Sequence, residues 1–276
     1  MSNILKNLSI CIITYKANSL IFSCLKNISQ IKNIFILDNS NDVNLKNKIN
    51  REYKNVKFYL SKNNLGFSCG HNFLLKKIKT KYVMLLNPDV EIKMDALKKL
   101  YQKAESLDKN FAIISPDYEN KINYNQNKLI EKREIYFGCP LFNYKIFKKI
   151  GFFDSNFFLY FEDNDVCKRF LKNNNKIYIY TEAKVSHIGG KSSNDKNYDK
   201  LRSFHYGWSK IYYYRKHYSF FYFIIIVIFT ILKSLIALLL FSLLKKSYFL
   251  KYKMIIYGVL FSLIEHKDFH RKIYAA

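Results

Sequence analysis

Acidic residues are scarce in this chain of 276 residues: 21 Asp+Glu stand against 46 Lys+Arg, a net charge of +25. Arginine is scarcer still, at positions 51, 133, 169, 202, 215 and 271 only, so the positive charge is nearly all lysine. Nucleic-acid readers lean on arginine for bidentate contacts to bases and phosphates, and its shortage argues against nucleic acid as the partner. Part of the lysine excess travels with abundant Asn, Ile, Tyr and Phe, the residues that A/T-rich codons favour. Three prolines and eight glycines exclude a collagen-like or linker-rich chain. The five cysteines (11, 24, 69, 139, 167) include no C-x-x-C and no paired spacing. That excludes a disulfide framework and a cysteine-built zinc site, and it fits a reducing cytosol. The opening MSNILKNLSICIITYK reads as the approach to a strand, with an apolar stretch too short for a secretory leader.

What is present is a globular composition, 49% hydrophobic and 24% charged, in a chain long enough to bury a core without staples. Residues 8–14 (LSICIIT), 34–37 (IFIL) and 82–86 (YVMLL) are short apolar runs. Each ends in polar residues: Thr14-Tyr15-Lys16, Asp38-Asn39-Ser40 and Asn87-Pro88-Asp89. Runs of this length read as buried strands. Helix-period stretches near 19–29, 71–79 and 94–107 lie between and after them. This alternation predicts an α/β fold with a mostly parallel sheet, in which ligands sit beyond the carboxyl ends of the strands. Further on, the pattern predicts a strand near 128–137, a helix near 143–149, a strand near 177–180 and a loop over 186–195.

Four constellations carry chemistry. Asn64-Leu65-Gly66-Phe67-Ser68-Cys69-Gly70-His71-Asn72 precedes a helical stretch; glycines there let a diphosphate approach backbone N–H groups, although an ordinary glycine turn fits as well. Asn87-Pro88-Asp89 offers one carboxylate to a divalent cation that holds two phosphates, or a plain Pro-Asp turn. Glu162-Asp163-Asn164-Asp165 follows the aromatic run Phe157–Phe161. Acids beside an aromatic wall are suited to a tuned base, and equally to a helix start. His187 precedes Gly189-Gly190-Lys191-Ser192-Ser193, a loop able to fold over a phosphate beside a histidine metal ligand.

Taken in order, N-x-G-F-x-x-G-x-N, L-L-N-P-D-V, F-F-L-Y-F-E-D-N-D-V-C-K-R and H-x-G-G-K-S-S resemble glycosyltransferase family 2, in its rhamnosyltransferase-like branch, over about residues 8–217. The resemblance implies a GT-A fold: one nucleotide-binding α/β domain that inverts the donor's anomeric centre. It implies that Asp38 recognises the base of the nucleotide, with Thr14 beside it. Gly66, Gly70, Asn72 and Asn87 would bind the nucleotide-sugar. Asp89 and His187 would hold a divalent cation, Mn²⁺ or Mg²⁺, and Asp163 would be the general base. Glu162, Asp165 and Arg169 would support it. Two other classes remain open at this stage. A nucleotidyltransferase would want a basic Gly-rich loop near the first strand, where Ala17-Asn18 stand instead. A non-enzymatic basic membrane or nucleic-acid protein would explain the charge but not the spaced acids.

The composition changes after residue 218. Residues 220–244 are 25 residues with one charge, Lys233, enough to cross about 30 Å of hydrocarbon. A second apolar stretch covers 254–264. Lysines and arginines flank both sides, so a single crossing opposes the positive-inside rule. The expectation is a 1–218 catalytic domain and a 219–276 helical tail, associated with the membrane without net crossing in preference to a spanning helix or a helix packed in a core or dimer. With membrane attachment and the family branch come the remaining expectations. The donor would be dTDP-rhamnose and the acceptor a polyprenyl-diphosphate-linked saccharide. The place would be the cytoplasmic face of a bacterial membrane, in synthesis of a surface polysaccharide such as O-antigen.

Overall fold

The computed structural model describes residues 2–16, 18–118, 128–187, 196–241 and 246–264. In chain order the elements are α1 (Ser2–Asn7), β1 (Leu8–Thr14), α2 (Asn18–Ile28), β2 (Asn33–Asp38), α3 (Val43–Glu52), β3 (Val56–Leu60), α4 (Gly66–Leu75) and β4 (Tyr82–Leu85). Next come β5 (Val90–Glu91), α5 (Met94–Glu105), β6 (Phe111–Tyr118), β7 (Leu129–Glu131), β8 (Leu141–Asn143), α6 (Tyr144–Lys149), α7 (Glu162–Lys172) and β9 (Lys176–His187). The last described elements are three helices: α8 (Lys196–His217), α9 (Phe220–Phe241) and α10 (Lys246–Ile264).

The nine strands form one sheet in the order β3-β2-β1-β4-β8-β6-β9-β5, with β7 paired to β9. The first four pair in parallel. The expected parallel sheet holds for this half. Beyond β4 the sheet is mixed: β8 runs antiparallel to β4 and β6, while β6 and β9 pair in parallel. The parallel strands are unbroken apolar runs because both their faces are covered; Ile10, Cys11 and Ile12 of β1 and Ile34 and Ile36 of β2 are all fully buried. Helix α3 shows the opposite economy. It buries Leu45 and Ile49 alone, one turn apart, and starts on Asp42, whose carboxylate accepts from the Leu45 N–H at 2.9 Å. That cap satisfies a helix-terminal donor that would otherwise lack a partner.

Two elements depart from the sequence expectation. The strand near 128–137 is regular only at 129–131. The strand near 177–180 is twelve residues long and runs on to His187, past a register shift opposite Pro116 and Asp117. Most of the loop at 186–195, including Gly189 to Ser193, lies outside the described residues.

The chain divides into two compact units, and the division differs from a boundary at 218. The first comprises Met1–Leu65, Cys69–Asp154 and Asp163–Ser193, with the whole sheet. The second comprises Gly66–Ser68, Ser155–Glu162 and Asn194–Ala276. Helix α8 falls in the second unit because it packs along α10. At their crossing a β-carbon on Gly258 would collide with the Phe204 carbonyl, so the two backbones touch as only glycine allows. Within the same unit, Ser209 Oγ donates to the Leu159 carbonyl at 2.8 Å and Asn156 Nδ2 to the Tyr212 hydroxyl at 3.0 Å. Segment 155–161 is thereby fastened to α8.

Helices α9 and α10 are long and apolar enough to cross a membrane, over Phe220–Leu240 and Ser247–Ile264. In α9, Phe221, Ile225, Phe229, Ile236 and Leu239 are more than half exposed, an apolar surface much larger than isolated exposed side chains make.

Candidate active site

The site grows from the carboxyl ends of β1, β2 and β4. Register places Thr14 beside Asp38 across β1 and β2, and Thr14 Oγ1 donates to Asp38 Oδ1 at 2.9 Å. Ser40 Oγ donates to the same oxygen at 2.7 Å, and the Asp42 N–H donates to Oδ2 at 2.8 Å. Asp38 is fully buried. Three donors offset the cost of placing its charge there, and they pull residues 38–42 into a tight loop with Asn41 at φ 57°. The Asn39 side chain extends the arrangement, accepting from the Leu65 N–H at 3.3 Å.

Gly66 opens α4 with φ 68°, and a β-carbon there would collide with the Phe158 carbonyl. The Phe67 N–H donates to that carbonyl at 2.7 Å. Gly66 thus meets both requirements that favour glycine, a left-handed backbone and a close approach. Gly70 lies next to Ile13 and Leu37 of the sheet. Asn72 has a task that the sequence did not show. Its Nδ2 donates to the Phe153 carbonyl at 2.9 Å and its Oδ1 accepts from the Phe153 N–H at 3.1 Å. The amide expected to line the nucleotide-sugar thus also clamps the backbone before α7.

At the end of β4, Asn87 receives a backbone tie from its N–H to the Gly138 carbonyl at 2.8 Å. Asp89 is buried, at 6% exposure, in the turn closed by the Val90 N–H on the Asn87 carbonyl at 3.1 Å. Val90 pairs with His187 across β5 and β9. The backbone therefore brings the second expected metal ligand alongside the first, from nearly 100 residues away in sequence; the His187 side chain lies outside the described set. No group of three or more His, Cys, Asp or Glu able to cage a metal occurs among the described residues. One carboxylate and one imidazole are donor types that suit a divalent cation with positions left open.

Helix α7 carries the remaining acids. Asp163 lies in its first turn, with Oδ1 accepting from the Asn164 N–H at 2.8 Å. Burial is the largest influence on this carboxyl and raises its pKa from 3.8 to about 6; backbone donors oppose the rise and the charge of Glu134 adds to it. A base poised near the working pH is matched to proton abstraction. Asp165 is fully buried and paired, Oδ2 accepting from Arg169 Nε at 2.8 Å. The other guanidinium nitrogens of Arg169 donate to the Ile150 and Phe152 carbonyls, where Gly151 and Phe152 both have positive φ. Asp165 and Arg169 thus lock the loop that Asn72 holds one residue later, at Phe153. Glu162, at 7% exposure, belongs to the second unit.

A further side chain enters this group without having been singled out in the sequence. Tyr136 Oη accepts from Asn87 Nδ2 at 3.3 Å. Burial first, then the charges of Asp89 and Asp163, hold its phenol above the usual range. An isolated tyrosine in an irregular segment carries no pattern that a sequence reading can use. Asp38, Asp89, Asn87, Asp163, Asp165, Arg169 and the backbone of His187 all fall in the first unit.

A mixed sheet with acids at its strand ends and a desolvated carboxylate on the helix beyond defines an α/β protein of the GT-A-like class. More specifically, residues 9–167 match the family described as glycosyl transferase family 2, more than half of the chain, and the protein belongs to that family. It is 25% identical over 198 residues to the low-salt glycan biosynthesis hexosyltransferase Agl10 of Haloferax volcanii. That match covers 62% of this chain, and the chain spans 63% of the relative's length. Among solved structures, the mannosyltransferase PcManGT of Pyrobaculum calidifontis, in complex with GDP-Man and Mn²⁺, superposes with a TM-score of 0.62 at 12% identity. That superposition covers 95% of this chain and 88% of the other. S. aureus TarS 1-349 in complex with UDP-GlcNAc gives a TM-score of 0.52 at 15% identity, covering 72% and 66%. Both likenesses are of fold.

Proposed function

We propose that this protein transfers a hexose from a nucleoside diphosphate to an acceptor hydroxyl by a single, inverting displacement. The observation that carries this reading is Asp163: a desolvated carboxyl held at about 6, in one compact unit with Asp89 and the Asp38 loop. Asp163 accepts the proton of the attacking hydroxyl as the new glycosidic bond forms. General-base help of this kind is worth about 10²–10⁴-fold. Thr14, Asp38 and the loop they shape lie at the nucleotide end, with Asn87 toward the sugar. Gly70, against Ile13 and Leu37, and Asn72, on the Phe153 backbone, keep their proposed places along the nucleotide-sugar.

Asp89 and His187 are the residues to hold a divalent cation, Mn²⁺ or Mg²⁺. A cation held there would supply Lewis-acid neutralisation of the departing diphosphate. Mn²⁺ is favoured by the imidazole and by its presence in the PcManGT complex. Attack opposite the leaving group, with the base on the acceptor side, gives inversion without a covalent intermediate.

The acceptor proposed is lipid-linked. Its support is the apolar surface of α9 together with the exposed Lys251 and Lys253 of α10. Each lysine near an anionic membrane contributes about 1 kcal/mol of attraction. A polyprenyl-diphosphate saccharide at the cytoplasmic face fits both features, and dTDP-rhamnose heads the donor candidates on the motif pattern. The test is a panel of dTDP-rhamnose, UDP-GlcNAc and GDP-mannose in thermal-shift assays with Mn²⁺, followed by transfer to a short polyprenyl-linked saccharide. A binding donor raises the melting temperature in proportion to RT ln(1 + [L]/Kd). No shift with any donor, with or without Mn²⁺, overturns the reading.

A further inference from the structure

Segment 134–138 brings a second row of side chains to the candidate site. Burial alternates along it: Glu134 and Tyr136 are exposed, Ile135 and Phe137 buried. Two ties fix where it runs. The backbone of Ile135 hydrogen-bonds the Cys167 thiol, one helical turn beyond Asp163 on α7. At the other side Asn87 Nδ2 reaches the Tyr136 hydroxyl. The segment therefore passes from the helix that carries the base to the strand end that carries Asn87 and Asp89.

Tyr136 is built into this place. Its ring meets Tyr118 edge-on, with centroids 5.5 Å apart and planes at 66°. A β-carbon on Gly138 would lie 2.6 Å from both the Tyr118 hydroxyl and the Tyr136 ring, so the pair of rings fits only because residue 138 has none. Tyr118 is pinned in turn, its hydroxyl accepting from the Cys139 N–H at 2.7 Å. Tyr136 nevertheless remains 48% exposed, so a ligand can reach it. Asn87 donates to the phenolic oxygen, which turns the phenolic proton away from Asn87.

An in-line displacement sets the geometry that the sugar must satisfy. The leaving phosphate oxygen lies on one side of the anomeric carbon and the attacking hydroxyl on the other. The sugar ring therefore occupies the space between the Asp89 end and Asp163. Tyr136 stands within electrostatic reach of both carboxylates. A phenol both donates and accepts, as sugar hydroxyls do, and its ring face suits the C–H face of a hexose.

We propose that Tyr136 is a sugar-positioning residue, its hydroxyl hydrogen-bonding the hexose of the bound nucleotide-sugar between Asn87–Asp89 and the base Asp163. This rests on the glycosyl-transfer reading above and adds a residue responsible for holding the sugar rather than the nucleotide.

The experiment compares full-length wild-type protein with Tyr136→Phe by calorimetric titration in detergent with Mn²⁺. The probes are matched pairs: UDP and UDP-GlcNAc, GDP and GDP-mannose, dTDP and dTDP-rhamnose. Phe keeps the ring against Tyr118 and removes one oxygen. The expected result is that the affinity for the nucleoside diphosphate stays within about twofold, while that for the nucleotide-sugar falls by about tenfold, the usual scale of one hydrogen bond. Donor analogues lacking one sugar hydroxyl supply the second readout. One of them should weaken wild-type binding by a similar factor and leave the Phe variant unaffected, which a merely structural tyrosine would not produce. Equal losses for nucleotide and nucleotide-sugar, or no loss for either, overturn the proposal while leaving glycosyl transfer intact. Wild-type protein that binds none of the six probes removes the transfer reading and this proposal together, and it does so before any variant is compared.

Discussion

Replacing Asp163 by Asn is expected to remove activity and, above pH 6, to make the protein more stable. Both effects follow from one carboxyl. Burial holds its pKa near 6 instead of 3.8, so folding favours the protonated form. Stability from this group is fully present below pH 3.8 and is lost as pH rises through about 6. Above that the buried carboxylate carries its whole desolvation cost. A rise from 3.8 to about 6 amounts to a ceiling of about 3 kcal/mol, at about 1.4 kcal/mol per pH unit. Asn has no charge to desolvate, and its Oδ1 can still accept from the Asn164 N–H. For a chain of this size 1 kcal/mol moves the melting temperature by about 2–4 °C. Asp163→Asn should therefore melt up to about 10 °C above wild type at pH 8, and the gap should close by pH 4. Turnover should drop by about 10²–10⁴-fold, measured as nucleotide released in the presence of acceptor. Wild-type kcat should rise with pH through about 6 as the base ionises. A variant that turns over at near wild-type rate, or that melts lower than wild type at pH 8, would refute the assignment.

Alanine at Asp89 or at His187 should weaken nucleotide-sugar binding in Mn²⁺ and change little in EDTA. The double variant should lose no more than the worse single one, because both remove one site; titrations in the two buffers decide. Arg169→Ala leaves Asp165 fully buried without its cation, at an expected cost of about 3–5 kcal/mol in denaturant unfolding. Ile228→Glu, on the exposed apolar surface of α9 at 52% exposure, should release the full-length chain from anionic vesicles in a flotation assay without lowering its melting temperature. Retention on the vesicles would argue that α9 is covered by protein instead of lipid.

The sequence by itself determined the first half of the sheet. A strand buried on both faces must be an uninterrupted apolar run, so β1, β2 and β4 are visible as such, and the polar residues that end each run mark where the site lies. It also determined the chemistry to look for, because Asp38, Asp89, Asp163 and His187 each sit beside a segment whose local pattern is legible. Strand β9 was legible only in part: its continuation to His187 depends on partners, β6 and then β5, that supply the hydrogen bonds for a polar stretch. Tertiary structure alone decided the rest, since the contacts join residues far apart in the chain. Asn72 clamps Phe153, 81 positions on. Tyr136 meets Asn87 across 49 positions, and no spacing rule links them. Helix α8 looks like the end of a catalytic domain by composition, with its lysines and tyrosines. It groups with α10 because glycine lets their backbones touch, and only the folded chain shows which glycine has a neighbour that close.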